Sequence, residues 1–156
     1  MTFGSQWRAL AFLGATILAP LFSAAQTVPA PARAAMCAAC HGPGGNSQLV
    51  NIPSLAGQPK IFIENQLVLI REGMRDIPQM KGALDNVPDS ELTELASYYA
   101  SMPSAKPTAK QQPKLYARGE SLSKELRCGI CHLPTYVGRE QMPRLAGQRE
   151  DYLLYT

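Results

Sequence analysis

Apolar residues return every three or four positions in several stretches of this chain, and no run alternates as a half-buried strand requires. The clearest stretch is Asp89 to Met102, where Leu92, Leu95, Ala96 and Tyr99 form one stripe. Asp89 as its cap, or Pro88 in its first turn, marks its start. Pro59 to Glu72 carries Phe62, Ile63, Leu67 and Ile70 on one side and meets a stop at Gly73. Lys114 to Arg127 sets Leu115, Leu122 and Leu126 on a related face, a pattern that Gly119 weakens. Pro31 to Ala39 is a short Ala-rich helix. The expected fold is all-α.

The pattern also divides the chain. Residues 1–25 read as a secretory signal: Arg8 precedes a mostly apolar run from Ala9 to Phe22, and Ser23, Ala24 and Ala25 offer small residues for cleavage. That run is too short for a comfortable membrane span. Residues 26–33, rich in Pro and Ala, are expected to be a mobile leader. A first domain follows over 34–103. A linker over 104–113 contains Pro107 and Pro113 and lacks apolar periodicity, and a second domain begins at 114 and runs to 156. The two units repeat each other. Pro53-Ser-Leu-Ala-Gly-Gln58 returns as Pro143-Arg-Leu-Ala-Gly-Gln148, 90 positions later, and Phe62 aligns with Tyr152.

Of the 156 residues, 46% are apolar and 17% charged, and the net charge of +3 falls to +2 without Arg8. No basic run points to nucleic acid. Units of about 70 residues have little core for their surface and often need a staple. The cysteines supply one. Cys37-Ala-Ala-Cys40-His41 and Cys128-Gly-Ile-Cys131-His132 are two copies of C-x-x-C-H, 91 positions apart, and they use every cysteine and histidine in the chain. The motif signals covalent c-type haem, with two thioethers and a proximal imidazole on iron. The alternatives explain less. A thioredoxin-like disulfide wants a βαβ context, and a four-thiolate zinc site or two plain disulfides leave both histidines without a role. Two covalently bound haem c groups are therefore expected, with His41 and His132 as iron ligands. Each haem would form the apolar centre of its unit, so the unattached chain is expected to be largely unfolded or molten.

A low-spin carrier needs a sixth ligand, and no third histidine exists. Met80, in a loop before the Asp89 helix, is the first candidate; Met74 is the second. Met1 and Met36 are excluded by position. Lys60, Arg71 and Arg75 either meet haem propionates or are solvated surface charges. Asp85, Asp89, Glu91 and Glu94 form an acidic cluster, read chiefly as a helix N-terminus with favourable dipole charges.

The first unit resembles a module of the cytochrome c4 family, dihaem class I c-type cytochromes of two similar domains. The resemblance rests on Cys37 to Gly42, Gly45-Asn-Ser47, Pro53 to Gln58, Gln66-Leu67, Arg71-x-Gly73, Met80-x-Gly82 and Leu95-Ala-x-Tyr-Tyr99. It implies that Met80 takes the axial methionine position and that the Pro53 carbonyl accepts the proximal imidazole N–H. Pro143 stands in the corresponding place in the second copy. Thr156 aligns with Gln66, so the position of a second distal methionine, 170 or 171, falls beyond the sequence. The second domain is accordingly expected to be truncated, a reading favoured over a second haem with an open or borrowed sixth position. Met142, just before Pro143, is a poor distal ligand.

The family implies a periplasmic electron carrier and no enzyme. Its expected partners are redox proteins, a quinol-oxidising complex on one side and a terminal oxidase or reductase on the other, with loose membrane association allowed. A cytochrome subunit of a larger dehydrogenase or oxidase complex is the main alternative. A dihaem peroxidase-like enzyme is a weaker one, because no acid or base is placed over the second site.

Overall fold

The computed structural model describes Met1, residues 28–106 and residues 111–156. Apart from Met1, the expected signal lies outside the described residues, as do the first two residues of the expected leader and part of the linker. The described chain is helical, as its periodicity predicts: α1 (Ala34–His41), α2 (Lys60–Arg71), α3 (Asp89–Ser101), α4 (Pro113–Glu125), α5 (Cys128–His132) and α6 (Glu150–Tyr155). Single 3-10 turns stand at Pro43–Gly45 and Pro78–Met80. Among the described residues, no helix is long and apolar enough to cross a membrane.

The core lies in the first half. The predicted α3 stripe of Leu92, Leu95, Ala96 and Tyr99 is buried. Its Leu95, Ala96 and Tyr99 meet Ala34 of α1 and Ile63 of α2. Leu92 joins Leu84 and Val87 in a second cluster. Leu67 of α2 touches both clusters, so α2 and α3 pack as the frame on which α1 rests. Gly73, in a left-handed conformation at φ +69°, follows α2 and donates its N–H to Ile70 C=O at 3.1 Å, the expected glycine stop.

Two local expectations need correction. Pro88 is the cap residue of α3, and Asp89 occupies the first helical position without a capping bond. Its carboxylate instead pairs with Arg71 Nη1 at 2.7 Å, and the same Nη1 donates to Val87 C=O at 2.7 Å. Arg71 therefore clamps the entrance of α3 and is more than a solvated surface charge. The acidic cluster stands as expected, with Asp89 and Glu91 in the first turn of α3, and Glu91 also pairs with Arg33 Nε at 2.7 Å.

The second half is built differently. The α4 helix ends at Glu125, two residues short of the Arg127 expected from periodicity. Arg127 itself is left-handed at φ +58° and turns the chain into α5. Leu115 and Leu122 of α4 and its C-cap residue Leu126 are exposed, and no described residue from 111 to 156 is fully buried.

Candidate functional site

The α1 helix carries the whole first motif, running two residues past Ala39. On a helix, residues 37, 40 and 41 stand at i, i+3 and i+4, so both thiols and the imidazole share one face. The α5 helix does the same for Cys128, Cys131 and His132. Exposure repeats as well: Cys37 and Cys128 are half-buried, Cys40 and Cys131 exposed, and all four are free thiols. Burial pushes the Cys37 thiol up, so it stays protonated. Neither motif has closed into a disulfide. Among the described residues, no three His, Cys, Asp or Glu side chains gather into a metal-binding group.

His41 is buried, and its Nδ1 lies 2.9 Å from Pro53 C=O. His132 Nδ1 lies 2.8 Å from Pro143 C=O. A carbonyl only accepts, so in each ring Nδ1 carries the proton and Nε2 keeps its lone pair. Burial lowers the His41 pKa, opposed by the Pro53 carbonyl, and favours the neutral ring that can ligate a metal.

Two turns hold these prolines. Gly45 C=O accepts from Leu55 N–H at 2.7 Å and Ala56 N–H at 3.0 Å. Tyr136 C=O accepts from Leu145 and Ala146 N–H, both at 2.9 Å. The repeat thus extends to individual hydrogen bonds. In the first half, Gly57 N–H also donates to Tyr99 C=O at 3.0 Å, which fastens the turn to α3.

Met80 ends its 3-10 turn half-buried against Leu84, Val87 and Leu92. With Ile70, Arg75 and Ile77 it lines a cavity of about 220 Å³. Met74 is 67% exposed and has no such setting. Met142 lies in the loop before Pro143, paired through its backbone with Arg139. Arg75 reaches Gln66 and lies 3.5 Å from the Tyr152 hydroxyl of the other half.

Each motif offers two unbridged thiols and one imidazole lone pair on adjoining turns of a helix. That donor set fits a macrocycle fixed by two thioethers and an axial nitrogen. Sequence reasoning missed the contacts that join the two copies. Gln58 and Gln148 were visible only as the last letter of a repeated motif; in the structure each amide crosses to the opposite half. Asn46 ties down the start of the linker, donating to Pro103 C=O at 3.0 Å and accepting from Ala105 N–H at 2.7 Å.

The family described as "Cytochrome C oxidase, cbb3-type, subunit III" matches residues 25–98. A cytochrome c4 of Pseudomonas aeruginosa is 37% identical over 90% of this chain and 73% of its own length. A thiosulfate dehydrogenase electron acceptor of Thiomonas intermedia is 36% identical over 93% of this chain and 70% of its own length. Among solved structures, reduced recombinant cytochrome c4 from Pseudomonas stutzeri superposes with a TM-score of 0.71 at 34% identity, covering 77% of this chain and 72% of that one.

Proposed function

This chain belongs to the cytochrome c4 family, and we propose that it is a periplasmic dihaem carrier that passes single electrons between a respiratory donor and a terminal oxidase or reductase. The observation that carries this reading is the matched pair of hydrogen bonds, His41 Nδ1–H to Pro53 C=O and His132 Nδ1–H to Pro143 C=O. Each leaves an imidazole nitrogen aimed away from its anchor, beside two free thiols.

In this reading Cys37 and Cys40 hold one haem c and Cys128 and Cys131 the other, with His41 and His132 on the irons and Met80 as sixth ligand to the first. Bound haem supplies reversible one-electron chemistry at iron. The chain's own contribution is orientation and shielding. Pro53 and Pro143 fix the ring planes of the two histidines and make them better donors. Leu84, Val87 and Leu92 keep the Met80 thioether in an apolar setting, which favours the reduced metal.

A second reading draws on the Thiomonas relative, named as the electron acceptor of a thiosulfate dehydrogenase. Here the donor is a dehydrogenase of the same compartment, bound transiently or as a larger complex. Size exclusion of native material separates the two: a co-eluting dehydrogenase supports the second reading, a lone haem-stained species the first.

Intact mass with a haem stain on osmotic-shock material tests the central claim. Two haem increments and a stained band are expected, and Cys128→Ser with Cys131→Ser should remove one increment. Unmodified, colourless protein overturns the proposal.

A further inference from the structure

Building on the dihaem reading, we infer that Gln58 and Gln148 are positioning residues through which each half of the chain tunes the axial histidine of the other. Gln148 Oε1 accepts from Ser54 N–H at 2.8 Å, and Gln148 Nε2 donates to Ser54 C=O at 2.9 Å. Gln58 repeats this across the repeat axis: Oε1 accepts from Arg144 N–H at 2.9 Å, and Nε2 donates to Arg144 C=O at 2.8 Å. Both ends of each amide are used, which fixes its orientation, because a flipped amide would set donor against donor.

The register of these bonds is what gives them a role beyond adhesion. Pro53 C=O and Ser54 N–H are the two ends of one peptide group. The carbonyl end takes the His41 proton, and the amide end gives its own to Gln148. The chain His41 Nδ1–H, Pro53 peptide, Gln148 amide is therefore continuous and crosses from one half to the other. His132, the Pro143 peptide and Gln58 form its mirror image. Linked hydrogen bonds polarise one another, most in dry surroundings. Gln58 and Ser54 are buried, at 5% and 7% exposure. An acceptor on the peptide N–H makes its carbonyl a stronger acceptor, which draws the imidazole proton and leaves Nε2 more electron-rich. A more donating imidazole favours ferric over ferrous iron.

Crossed influence follows. Gln148 lies in the second half but acts on the first haem; Gln58 lies in the first half but acts on the second. A purely adhesive role predicts no such crossing, since loosening one interface disturbs both centres alike.

The test uses the full-length loaded protein with Gln148→Leu or Gln58→Leu. Each haem's midpoint potential is followed through the NMR signals of its own histidine, and the Nδ1–H resonances of His41 and His132 are recorded in the reduced state. With Gln148→Leu, the first haem should become easier to reduce, by up to about tenfold in its oxidised-to-reduced ratio, or about 59 mV for one electron. The His41 Nδ1–H signal should move to higher field while that of His132 stays. Gln58→Leu should give the reverse. Should leucine prevent haem loading, Gln148→Met and Gln58→Met keep side-chain length without the amide and are read in the same way. Equal shifts at both haems, or none at either, overturn the inference. Missing haem mass in the unsubstituted parent overturns the dihaem reading and this inference with it, whereas loaded protein with uncrossed shifts overturns this inference alone.

Discussion

Gly45 and Tyr136 hold the same place in the two copies of the repeat, each offering its carbonyl to two successive amides of the turn that follows the proximal proline. Both are in the left-handed region, at φ +81° and +56°. Their side chains differ because their neighbours differ. A Cβ on Gly45 would stand 2.7 Å from Tyr99 Cδ1 of α3. At Tyr136 the side chain turns to α4, where its hydroxyl bonds the Ser123 hydroxyl.

Gly45→Ala should therefore be costly, combining left-handed strain with a clash against a buried ring. A loss of about 2–5 kcal/mol is expected. Tyr136→Gly keeps the backbone conformation and should lose only about 1 kcal/mol. Chemical unfolding of the two loaded variants, followed by far-UV circular dichroism, checks the contrast.

Met80 and Met74 sit six residues apart, one half-buried against apolar side chains and the other exposed. Met80→Ala should abolish the sulfur-to-iron charge-transfer band and lower the potential of the first haem. Met74→Ala should leave both unchanged. An absorption spectrum of each oxidised variant decides, and survival of the band in Met80→Ala removes Met80 from the iron.

Leu92 and Leu126 both fall on the apolar face of a helically periodic stretch, yet Leu92 is 0% exposed and Leu126 70%. Leu92→Ala should cost about 2–5 kcal/mol, the range for a cavity in a packed core. Leu126→Ala should fall within about 0.5 kcal/mol of the parent. Denaturant titrations of the loaded protein measure both.

Asp151 binds the halves together, accepting from Asn51 N–H at 2.9 Å while Arg149 grips its carboxylate. The Arg149 bond comes first among the causes that hold its pKa below the usual carboxylate value. A lowered folded pKa stabilises the folded state above the unfolded value, near pH 4, and that contribution is lost as the pH falls through the folded value. Melting temperatures taken between about pH 3 and 6 should fall more steeply on acidification for the parent than for Asp151→Asn. Parallel curves would show that the carboxylate does not contribute.

Much of the first half was legible because its signals are local. The α3 stripe, the Gly73 stop and the two C-x-x-C-H motifs are each written within a dozen residues, and helix periodicity carries them directly into structure. The role of Arg71 was not legible. Its partners Val87 and Asp89 are 16 and 18 positions away, and nothing in a run of sequence says which surface charge will meet a helix entrance.

The sequence alone determined that the chain is helical, that it is built from a repeat, and where thiols and imidazoles stand together, since all three follow from spacing along the backbone. Only the tertiary structure decided which helix faces are covered, which methionine is sheltered, and that Gln58 and Gln148 reach across to the peptides beside Pro143 and Pro53. Burial and cross-chain hydrogen bonds depend on which distant segments meet, and a one-dimensional pattern records periodicity but not meeting.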